Sequence, residues 1–423
     1  MNYFDKVIGY TDIKAELIRF CDVLKNLDRY KKLGVTMPRG ILLYGEPGIG
    51  KTLMANCFIK ESGCKAFVIR KDKPDGDFVN EICNVFENAK KESNAIVFLD
   101  DLDKFANEDQ YHKDAEEYVA VQSCIDDCKD SGVFVLATAN DRSCLPSSLT
   151  RAGRFDKVIE MQSPEGEDSK KIIEYYLSQK QVLGNIDAEE ISRLMEGHSC
   201  AELETVINEA GIYAGYDQRE KIEQKDILKA CMRMIFASPE TIEENNSSYL
   251  RNIVIHEAGH VVVSEILEPG SVSLVSVCRY SGAREGVSVI QKPENINISL
   301  RAQENEVMRK LGGKAATEIV CGLVDLGCSR DIHNAYSIIS RIVENCCLYG
   351  FDTFIGSKFN SSGYLLEQKD RTIAQEMERY YRQAKQIIAD NRELLDTLTR
   401  ELMEKKTLTY REIKIIREKI GPR

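Results

Sequence analysis

Apolar residues follow two alternating rhythms over the first part of the chain. Unbroken runs at Ile41-Leu42-Leu43-Tyr44, Ala66 to Arg70, Ala95 to Leu99, Val133 to Leu136 and Lys157 to Met161 predict strands. Between them the spacing turns helical, at Leu17, Phe20, Leu24 and Leu27, then at Ile82, Val85, Phe86 and Ala89 within Phe78 to Lys91. Such alternation predicts a parallel α/β sheet. From 164 to 237 no strand pattern remains, and Ser199 followed by Glu202 is a capping box that predicts a helix through Ala214. This part reads as a helical lid, and the polar stretch 238–248 as a linker. Beyond it, the apolar run Ile253 to Leu267 predicts a helix that stops before Pro269-Gly270. Residues 271–290 alternate in period two and predict a hairpin around Tyr280-Ser281-Gly282. After about residue 364, Ile373, Met377, Tyr380, Ala384 and Ile387 form one helical stripe for core packing. The expected divisions are 1–163, 164–237, 238–248 and 249–423.

At 423 residues the chain is long enough for two or three domains, each with its own core. A net charge of −11, with no aromatic and basic stripe, excludes a general nucleic-acid surface. The 14 cysteines are scattered without a C-x-x-C pair, which fits reduced thiols in the cytoplasm better than a disulfide framework. No signal peptide opens the sequence and no run approaches the ~20 apolar residues of a membrane span, so a soluble, cytoplasmic protein is expected.

Two motifs carry specific chemistry. The first strand runs into Gly45-Glu46-Pro47-Gly48-Ile49-Gly50-Lys51-Thr52, which is G-x-x-x-x-G-K-T between a strand and a helix. Backbone N–H groups of such a loop wrap phosphates, its Lys reaches the β and γ phosphates, and its Thr hydroxyl ligates Mg²⁺. The apolar strand 95–99 ends in Asp100-Asp101, where a nucleotide hydrolase keeps its Mg²⁺ carboxylate and its water-activating carboxylate. Asn140, after the strand at 133, is placed to orient a water. Arg151 and Arg154 are either solvated surface cations or fingers that reach a neighbour's nucleotide.

The second motif is His256-Glu257-Ala258-Gly259-His260. Residues four apart share a helix face, so both imidazoles can bind one ion, and Glu257 stands beside them to take a proton from its water. A third ligand is required, and no third His follows at short spacing. The residues leave two candidates open: Asp331, in the first turn of a helix predicted to be capped by Ser329, and Glu318. His333 reads as structural or as a neighbour of the ligands. The hairpin at 271–290 is either structural or an open strand edge on which an extended peptide pairs beside the ion.

Phosphate loop, paired acids, Asn140, the Arg151/Arg154 pair and H-E-x-x-H occur in one order. The chain thereby resembles the FtsH family of AAA+ ATP-dependent zinc proteases, from Val7-Ile8-Gly9 to the final helices. The resemblance implies an α/β AAA+ ATPase domain with a helical lid, followed by a mainly α-helical zinc metalloprotease domain. It implies Zn²⁺ on His256, His260 and Asp331, which favours Asp331 over Glu318, and ATP with Mg²⁺ held by residues 45–52, Asp100, Ile8 and Gly9. It also implies a homo-oligomer, a hexameric ring, that acts on unfolded or tagged proteins. Three departures stand out: the family's amino-terminal membrane segments do not occur in this sequence, Asp101 replaces the usual Glu, and Lys71 to Asp77 lacks the aromatic of a substrate-pulling loop, Phe78 being the first aromatic available. The expected activity is an ATP-dependent zinc endopeptidase. The alternatives are a zinc peptidase that uses ATP for assembly or gating, and a non-proteolytic AAA+ scaffold.

Overall fold

A computed structural model describes residues 2–35, 38–71, 77–106, 115–129, 131–151, 153–181, 183–238, 247–280, 284–291, 299–322, 326–346, 348–350 and 363–421. The chain divides into two compact units, one of residues 1–188 and 195–223, the other of 189–194 and 224–423.

The first unit is built on strands β1 (Gly40–Tyr44), β2 (Lys65–Ile69), β3 (Ala95–Leu99), β4 (Val133–Ala139) and β5 (Lys157–Glu160). All pairings are parallel, in the order β2-β3-β4-β1-β5. The inner strands are apolar throughout because both faces are covered. Ile41, Leu43, Ile96, Phe98, Phe134 and Leu136 pack with helices α1 (Thr11–Lys25), which the short α2 (Leu27–Lys32) follows, and α3 (Lys51–Ser62). Leu42, Val97, Leu99, Val135 and Ala137 point the other way, into α4 (Phe78–Ala89) and α5 (Ala115–Asp127). Register sets Tyr44 beside Ala139, and Leu99 beside both Ala137 and Ile69. The carboxyl ends of β1, β3 and β4 therefore converge, the usual ligand position in an open parallel sheet.

Of the next helices, α6 (Gly166–Ser178) and α8 (Cys200–Tyr216) belong to the first unit, with both hydrogen bonds of the Ser199/Glu202 capping box made, while α9 (Gln224–Phe236) and all of α7 (Ala188–Leu194) but its first residue belong to the second. In the second unit, α10 (Ser247–Leu267) packs on α11 (Leu300–Cys321). Around them lie α12 (Ser329–Asn345), α13 (Gly363–Asp390), α14 (Arg392–Lys405) and α15 (Tyr410–Ile420). The hairpin forms as β6 (Val272–Tyr280) and β7 (Arg284–Ile290), antiparallel, while β8 (Thr407–Thr409) adds a third strand on the far side of β6. Its expected turn, most of the expected linker, and most of the 71–77 interval lie outside the described residues. No helix among the described residues is long and apolar enough to cross a membrane.

Candidate nucleotide site and metal centre

The phosphate loop leaves β1 and enters α3 at Lys51. Lys51 is buried, and its ammonium donates to the carbonyls of Gly45 and Glu46 at 2.7 Å each. Burial lowers its pKa. The Thr52 hydroxyl donates to Asp100 Oδ1 at 3.0 Å, and the Thr138 hydroxyl, on β4, donates to the same oxygen at 2.9 Å. Arg70 pairs with Asp100 Oδ2. Thr52 and Asp100, 48 positions apart, thus meet as a Mg²⁺ ligand pair must.

Asp101 has left-handed backbone torsions (φ 55°) and gives its N–H to Thr138 Oγ1 at 2.9 Å. Its carboxylate pairs with Lys104 at 2.7 Å. Asn140 and Glu46 line one open cleft beside the loop. Tyr10 anchors the preceding Ile8-Gly9 segment to this end of the unit, donating to the carbonyls of Gln162 at 2.8 Å and Ile49 at 3.1 Å. The start of α8 closes on the loop as well, through the Ala201 N–H to the Gly48 carbonyl at 3.1 Å.

The two arginines part company. Arg154 grips Asp126 of α5 in a fork, Nε to Oδ1 at 3.1 Å and Nη2 to Oδ2 at 2.7 Å, and gives Nη1 to the Ser148 carbonyl at 2.6 Å. Arg151 is exposed and bonds through Nε to Ser148 O at 3.2 Å. Neither is brought to its own phosphate loop.

In the second unit, α10 carries His256 and His260 on one face. Their Nε2 atoms lie 3.0 Å apart, and Asp331 Oδ2 lies 3.2 Å from the first and 3.4 Å from the second. Tetrahedral ligands at about 2.0–2.1 Å from zinc stand roughly 3.3 Å from one another, so the triangle has the size of a zinc face. Among the described residues, these three form the group able to hold a metal ion. His260 Nδ1 donates to the Arg309 carbonyl on α11 at 2.7 Å, which fixes the ring and turns Nε2 toward the triangle. Burial pushes the Asp331 carboxyl up, yet hydrogen bonds from His256 and His260 carry it well below the usual range. Burial likewise lowers His260, but Asp331 and the Glu257 charge raise it on balance. The cluster therefore favours a positive charge in its midst. Glu257 is buried, and its Oε2 accepts from the Ser288 hydroxyl on β7 at 2.7 Å.

Several expectations change here. Helix α12 starts at Ser329, and Cys328 holds the cap position without a side-chain bond, so Ser329 is not the cap, although Asp331 does fall in the first turn. Glu318 accepts from Lys385 at 2.5 Å, from Tyr381, and from Lys314 at 3.1 Å, which together pull its carboxyl down to about 2 and occupy it away from the imidazoles. His333 is exposed. Phe78 is 5% exposed and stacks edge-on against Phe105 at 5.2 Å, so it is core and not a gripping side chain. Arg70, Asp126, Ser288 and the Arg309 carbonyl went unread in the sequence. Lys104 alone had a signal, three residues past Asp101.

Fold and geometry define a nucleotide-binding α/β unit joined in one chain to a helical unit with a two-histidine, one-carboxylate centre. Family models agree. The AAA family (ATPase family associated with various cellular activities) matches residues 41–163, the AAA+ lid domain 185–229 and peptidase family M41 244–416. Similar curated proteins are the ATP-dependent zinc metalloproteases FtsH of Aster yellows witches'-broom phytoplasma (28% identical over 97% of this chain and 63% of the relative), Bacillus subtilis (28%, 97% and 69%) and Helicobacter felis (26%, 98% and 69%). The chain is similar to these FtsH proteins over nearly its whole length, and it spans 63–69% of theirs.

Proposed function

We propose that the chain is an ATP-dependent zinc endopeptidase acting on unfolded or loosely folded proteins as a ring of like subunits, a hexamer in the family's manner. The family implies Zn²⁺, ATP and Mg²⁺ as cofactors. The observation that carries the reading is the triangle of His256, His260 and Asp331 with Glu257 one residue away. His256, His260 and Asp331 would hold zinc, which would supply Lewis-acid chemistry for activating a water and polarising a peptide carbonyl. Glu257 takes the proton of the attacking water and later returns it to the leaving amine. The outer edge of β7 offers backbone groups to an extended substrate strand.

In the nucleotide part, over 1–163 with a lid over 164–237, the Gly45–Thr52 loop wraps the phosphates and Thr52 and Asp100 hold Mg²⁺. Ile8 and Gly9 wall the base, Asp101 and Asn140 position water, and Arg151 with Arg154 serves a neighbour's site. A weaker motor is the second reading, favoured by Asp101 tied to Lys104 and by Phe78 sunk in the core. Casein digestion with and without ATP, and with a chelator, tests both. Loss on chelation supports the peptidase. ATP-independent cleavage supports the weak motor, and chelator-resistant cleavage removes the zinc reading.

A further inference from the structure

Alternation along β7 puts Gly286 and Ser288 on one face, the face on which Glu257 of α10 lies. Ser288, paired with Val275 in the sheet, gives its hydroxyl to Glu257 Oε2 at 2.7 Å. Gly286 leaves the room the same carboxylate needs. A methyl group at 286 would stand 2.6 Å from Glu257 Oε1 and 3.0 Å from its Cγ, and the backbone there (φ 79°) already favours glycine. One strand thus both clears a seat for this side chain and holds it in that seat. The Ser288 hydroxyl also lies 3.5 Å from the Glu257 main-chain carbonyl, and of its two acceptors the carboxylate at 2.7 Å is the nearer by far.

Resting on the peptidase reading above, we propose that Ser288 is a positioning residue for the general base. It fixes the rotamer of Glu257 through Oε2, and Gly286 is the glycine that permits the approach. Because β7 has no second partner strand among the described residues, a substrate strand added at its opposite edge would lie on the strand that sets the base. Substrate docking and base alignment are then carried by one element. A donor on Oε2 restricts where the carboxylate sits.

The test compares wild type, Ser288→Ala and Ser288→Thr in the full chain loaded with zinc. A misplacement of about 1 Å costs roughly 10²-fold in rate, so loss of one orienting bond should lower kcat for a fluorogenic peptide by about 10-fold or more. KM, zinc content and thermal midpoint should stay as in wild type. Threonine keeps the hydroxyl and suits a strand, so Ser288→Thr should stay within a factor of about 3 of wild type. Zinc-loaded crystal structures of the three proteins should show the Glu257 carboxylate on residue 288 in wild type and Ser288→Thr, and displaced in Ser288→Ala. This readout does not depend on turnover. A wild type that cleaves no peptide defeats the peptidase reading, while the carboxylate position still decides the role of Ser288. An unmoved carboxylate, an unchanged kcat in Ser288→Ala, or a loss that follows zinc content and is not restored by threonine overturns the proposal.

Discussion

Gly259 and Gly312 touch backbone to backbone where α10 crosses α11. A methyl group on Gly259 would stand 2.5 Å from the Gly312 carbonyl oxygen, and one on Gly312 would stand 2.8 Å from that of Gly259. This approach lets the Arg309 carbonyl reach His260. One residue on, a methyl at Gly313 would strike the His256 ring at 2.6 Å. Helix propensity favours Ala over Gly by ~1 kcal/mol, while overpacking costs about 1–3 kcal/mol. The clash wins where it meets a ring held by two neighbours. Gly313→Ala should reduce zinc occupancy at least ~10-fold with helix content retained; metal analysis alongside circular dichroism reads both, and full occupancy would show that the ring has slack.

Asp331 and Glu318 separate cleanly by environment. Asp331→Ala removes one corner of the triangle, so zinc content and casein cleavage should both be lost. Glu318→Ala frees Lys314, Lys385 and Tyr381 at a half-exposed position, where such pairs contribute only ~0–1 kcal/mol. Zinc should stay bound in that variant. Metal analysis with the opposite pattern would move the third ligand.

Arg154 and Arg151 should fail differently. Arg154→Ala leaves Asp126 without its fork, so it should lower the thermal midpoint by a few degrees as well as reduce ATP hydrolysis. Arg151→Ala should leave the midpoint unchanged and still slow hydrolysis on the order of 10³-fold, the size of a finger's contribution. Thermal melts and phosphate release on the two variants decide. Normal hydrolysis by Arg151→Ala would end the finger role for that residue.

Asp101 is one methylene shorter than Glu, which withdraws its carboxylate by roughly 1.5 Å. Such a shift is of the size that costs about 10²-fold in rate. Its exposed ion pair with Lys104 is worth at most ~1 kcal/mol, or about 5-fold. Asp101→Glu should therefore accelerate ATP hydrolysis well beyond Lys104→Ala. Steady-state rates of the two variants test the ranking, and a larger gain from Lys104→Ala would make the ion pair the brake.

What could be read from the sequence follows from where its physics is local. Inner strands β1, β3 and β4 are covered on both faces, so their apolar runs announce them, and the phosphate loop and H-E-x-x-H fix their geometry within a few residues. Helix α11 announces nothing of its surroundings. It is buried on several sides and carries Gln303, Asn305, Arg309 and Thr317 inside, so no apolar stripe marks a face. The three residues of β8 are too few for a period. Contacts made by folding alone, such as Ser288 on Glu257 and Asp126 on Arg154, join residues 31 and 28 positions apart with no motif between them. Phe78 illustrates the reverse: an aromatic after the loop looked available until the core claimed it.

The peptidase reading turns on Glu257 as a base that works only with zinc on His256, His260 and Asp331. Its most direct measurement is casein cleavage by metal-stripped wild type and Glu257→Gln during titration with zinc. Wild type should recover as one equivalent binds, while Glu257→Gln takes up the same zinc and stays at least ~10²-fold slower. Cleavage by Glu257→Gln at the wild-type rate, or by wild type without metal, would contradict the account.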